Sequence, residues 1–208
     1  MRQERAFVGL GGNVGDAEAT LTAAVHALAT LAGARLGGVS RLYATSPVGV
    51  TDQAEFRNAV VALEVPAGPD AETGALALLL ALKGIEGAFG RQARERWGPR
   101  ELDLDLLLFG DHPVRLERPA EARSGDPARA QDVQWLEVPH SSASERLFVL
   151  APLADLAPDL VPPGWSETVA AACHRRRVVE GAAVRPLGAW SPVARQWLPL
   201  QHRPSRRA

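Results

Sequence analysis

Two aspartates interrupt an otherwise apolar stretch of the chain, ELDLDLLLFG at residues 101–110. A β-strand has a side-chain period of two, so Asp103 and Asp105 would share one face. The leucines of the opposite face would be Leu102, Leu104, Leu106 and Leu108. Burying two like charges side by side is costly unless a positive charge accompanies them. We therefore expect the leucines to cover a core and the aspartates to line a cleft.

The elements around this strand follow the order β-α-β-β-α-β. Strand patterns begin near residue 6, within 34–48 (broken at Ser46-Pro47), at 58–65 and at 101–110, and helical spacing covers 17–31 and about 70–89. This order predicts a ferredoxin-like fold of the α+β class, with an antiparallel sheet and helices on one face. Two C-terminal helices are expected over 144–154 and 165–174.

The bulk composition fits a globular chain: 46% of the 208 residues are hydrophobic. The single cysteine, Cys173, excludes an intrachain disulfide and a cysteine-rich zinc site. No apolar run is long enough to span a membrane, and the N-terminus lacks a signal-peptide pattern. A cytoplasmic protein is expected.

Charge is unevenly distributed along the chain. Residues 175–208 hold eight arginines and one glutamate, a net charge of +7, so residues 1–174 carry −8 within the total of −1. We predict a domain over 1–174, with an exposed excursion at 111–136, and a basic extension over 175–208 that is solvated or partly disordered. A weak anion- or nucleic-acid-binding role for the extension is the alternative.

Two aspartates at i and i+2 beside a cleft suit Mg²⁺, which takes one or two protein carboxylates together with substrate phosphates. The plain alternative is an edge strand with solvated charges. Arginines favour the metal interpretation, because guanidinium groups match phosphate oxygens; they are Arg91, Arg94, Arg96, Arg100 and Arg146.

Other motifs are weaker. GLGGNVGD follows a strand but fails the G-x-G-x-x-G pattern and fits a tight turn better than a pyrophosphate site. Taken alone, His140 would be a structural or surface histidine. Phe56 and Phe148 would be core residues, unless they stack on a flat heteroaromatic ligand.

The run RWGPRELDLDLLLFG at 96–110 resembles the signature of the 6-hydroxymethyl-7,8-dihydropterin pyrophosphokinase family of folate biosynthesis. Further blocks agree in order, namely GLGGNVGD, YATSPVGVTDQAEFRNAVVALE, IEGAFGR and VPHSSASERLFVLAPLADLAPDL. The resemblance covers about residues 5 to 163. It implies transfer of the pyrophosphoryl group of ATP to the pterin hydroxymethyl oxygen, giving AMP, on a ferredoxin-like fold.

The resemblance also implies roles for individual residues. Asp103 and Asp105 match the magnesium-binding aspartates, for which two ions are expected, and Arg91 and Arg100 match arginines that aid transfer. The residues implied to bind the pterin are Thr45, Val48, Phe56, Asn58, Trp97 and Phe148. Those implied to bind the nucleotide are Glu86, Arg91, Trp97, Arg100, Leu106, His140 and Arg146.

The chain departs from the family in places. Ser141 stands where a bulkier residue is usual, and the loop between Arg91 and Trp97 is about one residue shorter. The stretch 111–136 is longer than usual, and the tail beyond about 175 lies outside the family pattern.

Three alternatives remain. A palm-like nucleotidyltransferase would need a basic groove, which the −8 charge of residues 1–174 disfavours. An RNA-binding module would need aromatic residues on its central strands. An inactive pterin-binding relative would be expected to lose the arginines and aspartates.

The expected partners are ATP and the pterin, with no nucleic acid and no membrane, and a monomer is expected.

Overall fold

The computed structural model describes residues 2–47, 52–90, 98–123 and 132–200. Its strands and helices are β1 (Gln3–Gly12), α1 (Ala17–Ala29), β2 (Arg35–Val39), β3 (Leu42–Thr45), β4 (Phe56–Pro66), α2 (Ala71–Ala88), β5 (Asp103–Phe109), β6 (Val114–Glu117), β7 (Trp135–Val138), α3 (Leu147–Leu156), α4 (Val169–Glu180), β8 (Val184–Ser191) and β9 (Gln196–Pro199).

Within these ranges, seven strands form one antiparallel sheet in the order β5-β1-β4-β3-β8-β9, with β2 also paired to β4. The predicted ferredoxin-like α+β fold is confirmed. The predicted second strand is two strands, because Ser40 interrupts it. The Ser40 hydroxyl accepts a hydrogen bond from the Val60 N–H at 2.9 Å, where a strand would continue its backbone ladder.

Three helices begin at a side chain that accepts a hydrogen bond from the first turn. Asp16 accepts from the Ala19 N–H, Asp70 from the Thr73 N–H and Thr168 from the Ala171 N–H. Short oxygen-bearing side chains are favoured at this position because the first N–H groups of a helix have no partner inside it.

Both faces of the sheet are covered. Helices α1 and α2 pack on one face, where Leu21, Leu28, Leu79 and Leu82 are buried, as predicted for these two helices. Helices α3 and α4 pack on part of the other face, with Leu147, Leu150, Leu153 and Val169 buried. The cleft lies on this face of the sheet, where the layer formed by α3 and α4 ends.

None of the helices in the described ranges is long and apolar enough to cross a membrane.

A bulge in β5 changes which leucines share a face. Phe7 pairs with Leu108 and Val8 pairs with Leu106, which leaves Leu107 as an extra residue. Leu102, Leu104 and Leu106 pack under α1 and α2 as predicted. The prediction for Leu108 is wrong, because the extra residue places it on the α3 side together with Leu107.

The prediction that residues 175–208 form a solvated extension is wrong for the described part, which ends at residue 200. Helix α4 runs through the predicted domain end at 174, and β8 pairs with β3 in the main sheet. Trp197 of β9 is buried, donates its indole N–H to the Ser40 carbonyl at 2.8 Å and packs edge-on against Trp190.

The prediction of an exposed excursion at 111–136 is wrong at both ends of the segment. Strands β6 and β7 pair with each other, and their side chains Val114 and Leu136 are buried in the core beside α2. Ala122, in a single 3₁₀ turn, is buried with them. Residues 124–131 lie outside the described ranges.

A polar cluster joins β3 to the end of α3. The Asp155 carboxylate accepts hydrogen bonds from the Tyr43 hydroxyl at 3.1 and 3.0 Å and from the Arg41 N–H at 3.0 Å, and it forms an ion pair with the Arg41 guanidinium. Burial, with the neighbouring Asp155 charge, raises the pKa of Tyr43 above its usual value of 10.0.

We expect alkaline pH to destabilise the protein through Tyr43. The folded state holds the phenol proton more tightly than the unfolded chain, so this stabilisation is complete below pH 10 and is lost as the pH rises through the raised pKa. Tyr43 is the sole tyrosine, so tyrosinate absorbance reports it directly. The native protein should titrate at higher pH than the urea-unfolded chain, and coincident titration curves would contradict the prediction.

Replacing Trp197 tests whether the C-terminal strands belong to the core. Trp197→Phe should lower the free energy of unfolding in urea by about 1–3 kcal/mol, because the buried Ser40 carbonyl loses its donor. Trp135→Phe, at a half-exposed tryptophan of β7, is the matched control and should change it by less than about 0.5 kcal/mol. Equal effects of the two substitutions would refute a core role for β9.

Candidate active site

The cleft is built on three neighbouring strands in register. Gly11 of β1 pairs with Asn58 of β4 on one side and with Asp103 of β5 on the other. Two residues back along β1, Gly9 pairs with Val60 and Asp105. Paired residues point to the same face of a sheet, so an amide and two carboxylates surround a floor of glycine backbone.

The glycines keep this floor open. A Cβ on Gly11 would lie 3.1 Å from the Asn58 Oδ1 atom, and one on Gly9 would lie 3.4 Å from the Leu107 side chain. The resulting cleft holds about 350 Å³ of space, part of it open to solvent, with Phe148 of α3 as one wall. The two aspartates therefore line a cleft, as the sequence predicts.

Arg100 supplies the positive charge that the aspartate pair requires. Its guanidinium forms an ion pair with Asp103, and both side chains are only partly exposed. Asp105 accepts no hydrogen bond from any residue that the structure describes. The two carboxylates thus differ: one is already neutralised, and the other is available to a cation.

Asn13 is a site residue that our sequence reasoning assigned only to a turn. Its side chain donates to the Gln53 side chain at 3.0 Å and to the Ala54 carbonyl at 3.1 Å, and it accepts from the Arg100 N–H at 2.8 Å. Its own N–H donates to the Arg100 carbonyl at 2.9 Å. Asn13 is buried, so it fastens Arg100 to the segment that leads into β4. The available signal was an amide side chain, with both a donor and an acceptor, directly after the glycines that end β1.

Two of the predicted pterin residues contact each other. The Asn58 amide donates to the Thr45 hydroxyl at 2.8 Å, and both side chains are buried. Phe56 pairs with Thr45 across β3 and β4, two residues before Asn58 on the same face. Of these three residues, Asn58 lines the cleft together with Phe148, and Thr45 and Phe56 lie next to Asn58 on β3 and β4.

The predicted nucleotide residues His140 and Arg146 lie near the outer edge of β5 and at the start of α3. The His140 N–H donates to the Leu107 carbonyl at 2.9 Å, and its Nδ1 atom accepts from the Ser142 N–H at 3.3 Å. This contact places the ring proton on Nε2. The Arg146 guanidinium carbon lies 5.7 Å from the centre of the Phe148 ring.

Two predicted nucleotide residues lie outside the cleft. The buried Glu86 carboxylate accepts from the Leu104 N–H at 2.7 Å and from the Lys83 ammonium at 2.8 Å, on the outer edge of β5. The Leu106 side chain is buried under α1 and α2, on the opposite face from the aspartates. Neither side chain lines the cleft, because each is committed to the core or to the strand edge.

Three predicted site residues, Val48, Arg91 and Trp97, lie outside the described residues, as do Arg94 and Arg96.

The donor set suits a hard divalent cation. Asp103 and Asp105 project from alternate positions of β5. The glycines paired with them on β1 have no side chains, which leaves room for a ligand above β1. The described residues contain no cluster of three or more potential ligand side chains. A pair of carboxylates completed by substrate oxygens is nevertheless a usual arrangement for Mg²⁺.

Together, the fold and the cleft define a transferase for an anionic phosphate donor: paired carboxylates, a neighbouring guanidinium and a wall suited to a flat acceptor. The sequence model of the family "7,8-dihydro-6-hydroxymethylpterin-pyrophosphokinase" matches residues 7–158. The chain belongs to this family, which confirms the resemblance. It is a pyrophosphokinase that transfers the pyrophosphoryl group of ATP to hydroxymethyldihydropterin in folate synthesis.

Relatives named 2-amino-4-hydroxy-6-hydroxymethyldihydropteridine pyrophosphokinase support this assignment. The Pseudomonas aeruginosa protein is 42% identical over 160 residues, which cover 77% of this chain and 85% of the relative. The Methylorubrum extorquens protein is 42% identical over 165 residues, which cover 79% of this chain and 89% of the relative.

Solved structures agree at the level of the fold. Wild-type Plasmodium falciparum HPPK-DHPS superposes with a TM-score of 0.69 at 14% identity, over 96% of this chain and 50% of that chain. This chain therefore spans about half the length of the HPPK-DHPS structures that it matches.

Removing the Asn13 side chain should loosen the cleft. Asn13→Ala is expected to lower the free energy of unfolding by about 1–3 kcal/mol, because the Arg100 N–H loses its acceptor. Gln53→Ala removes a single partner of Asn13 and should lower the free energy of unfolding by less than about 1 kcal/mol. Urea denaturation with parallel turnover assays measures both effects, and an Asn13→Ala variant as stable and active as the wild type would disprove this role.

Proposed function

We propose that the cleft between β4, β1 and β5 is where this transfer takes place, and that Asp103 and Asp105 hold Mg²⁺ there. The observation that carries the proposal is the register that places Asn58, Gly11 and Asp103 in one row across the sheet. In this row, the Asn58 amide would bind the acceptor and the Asp103 carboxylate would bind the cation, on opposite sides of Gly11, which has no side chain.

The pterin side is formed by Thr45, Phe56, Asn58 and Phe148, with Val48 and Trp97 as the further predicted contacts. Asn58 offers both a donor and an acceptor to the edge of a pterin, and its contact with Thr45 fixes how the amide is turned. The Phe148 ring supplies a flat apolar wall for the heterocycle.

The nucleotide side is formed by Arg100, His140 and Arg146, with Arg91 as the further predicted arginine. The Nε2–H of His140 is available as a donor, because its Nδ1 atom already accepts from Ser142. Arg100, paired with Asp103, and Arg146, next to Phe148, bring positive charge to the neighbourhood of the cleft, where it would balance the phosphates of ATP. Any contact by Leu106 would use its backbone, and Glu86 would act by holding the edge of β5.

Two bound Mg²⁺ ions would neutralise the phosphate charge and acidify the acceptor hydroxyl. The protein holds the two substrates in line, so that the hydroxymethyl oxygen faces the β-phosphorus. In the transfer, the hydroxymethyl oxygen bonds to the β-phosphorus and its proton passes to solvent. The bond from the β-phosphorus to the oxygen shared with the α-phosphorus breaks, and AMP leaves with that oxygen. Phe148 covers part of the cleft and would limit the entry of water, which would otherwise take the acceptor's place.

Charge-neutral substitutions at the aspartates test the metal assignment. Asp103→Asn and Asp105→Asn should each lower kcat/KM by a factor of about 10²–10³, and both should weaken Mn²⁺ binding measured by electron paramagnetic resonance. Asp111→Asn, at an exposed aspartate just beyond the other end of β5, is the matched control.

The assay follows AMP and pterin diphosphate together, with ATP, Mg²⁺ and 6-hydroxymethyl-7,8-dihydropterin as substrates. AMP formation that depends on the pterin and is lost in both variants but kept in Asp111→Asn supports the proposal. Full activity in either aspartate variant would rule out its role as a metal ligand.

The net charge of −8 on residues 1–174 supports the absence of a nucleic-acid partner, because it would repel a phosphate backbone. The monomeric state and the cytoplasmic location stay predictions from the sequence.

A further inference from the structure

The chain continues well beyond the family match, which ends at residue 158. Helix α4 and strands β8 and β9, residues 169–200, are here called the C-terminal unit. Its buried residues Val169, Ala172 and Val184 pack with α3 against the sheet. The unit contacts the two elements that carry the pterin side of the cleft.

The first contact is with the strands that carry Thr45 and Phe56. Thr45 pairs with Val184 across β3 and β8, and the Ser46 N–H donates to the Ala183 carbonyl at 3.1 Å. The Arg185 guanidinium donates to the Glu55 carboxylate at 2.6 Å, directly before Phe56. The unit thus holds the chain just after β3 ends and just before β4 begins.

The second contact is with the first turn of α3, which carries Phe148. The Glu180 carboxylate accepts from the Leu147 N–H at 3.4 Å. Arg176, one turn earlier on α4, donates to the same carboxylate at 2.9 and 2.6 Å and holds it in place. A carboxylate at this end of a helix also interacts favourably with the helix dipole.

We propose that the C-terminal unit positions the pterin side of the cleft, with Arg185 and Glu180 as its positioning residues. The inference rests on the proposed function for its assignment of the pterin residues. Arg185 acts through Glu55 on Phe56, and Glu180 acts through Leu147 on Phe148. The two rings lie on different elements, β4 and α3, and the unit braces both.

The test compares steady-state constants for both substrates in matched variants. Arg185→Ala should raise the KM for the pterin about threefold, the size expected from loss of an exposed ion pair. Its kcat, its KM for ATP and its melting temperature should stay near the wild-type values. The charge exchange Glu55→Arg with Arg185→Glu should restore the pterin KM.

Glu180→Gln should show a different pattern. Its KM for the pterin should rise, and its KM for ATP should rise with it, because Arg146 directly precedes Leu147 in the chain. Glu167→Gln, the same substitution at the Arg175 ion pair near the start of α4, is the control and should change neither constant.

An unchanged pterin KM in Arg185→Ala, or an exchange variant that does not recover, would overturn the inference. A melting temperature that falls while the pterin KM stays constant would also overturn it, because that result identifies a purely structural unit. Wild-type protein that binds no pterin would instead refute the proposed function, and this control is measured before the variants.

Discussion

Two glycines on β1, an interior strand next to the edge strand β5, determine what this end of the sheet can present. Gly9 and Gly11 lie between β4 and β5, so three strands meet at a surface that carries no side chain in its middle. Glycine weakens a strand because it adds entropy to the unfolded chain and has no side chain to pack. Here β1 is hydrogen-bonded to β4 along one edge and to β5 along the other, which offsets the stability lost at the glycines. Asn58 and the aspartates can then face one ligand across bare backbone.

Electrostatics follow from the same register. Two carboxylates at alternate positions of one strand repel each other, and β5 can place them side by side because their face is open and Arg100 neutralises Asp103. Asn13 fixes the Arg100 backbone, so the position of this charge depends on the turn after β1. The turn after β1, the arginine and the aspartates therefore form one unit, although 87 residues separate Asn13 from Arg100 in sequence.

Apart from the break at Ser40, the strands and helices up to residue 110 could be predicted, because their apolar periodicity matches the packing of one sheet against two helices. The bulge at Leu107 could not, because in a run of leucines either register buries an apolar side chain. The role of β8 and β9 could not be predicted from composition, because the arginines around them are typical of a solvent-exposed segment. The buried contact with the Ser40 carbonyl is made by one residue, Trp197. The contact of Glu86 with the Leu104 N–H could not be predicted either, because it depends on β5 being an edge strand of the sheet.

The elements on the two sides of the cleft also cover the outer edges of β5 and β3. An edge strand exposes unpaired backbone groups that must be covered. On the nucleotide side, Glu86 and the His140 backbone satisfy the outer edge of β5. On the pterin side, β8 pairs with β3, so Thr45 lies on an interior strand only after residue 184 has joined the sheet. The acceptor half of the cleft therefore becomes complete only when the last part of the chain folds, and its geometry is coupled to elements that lie beyond the family match.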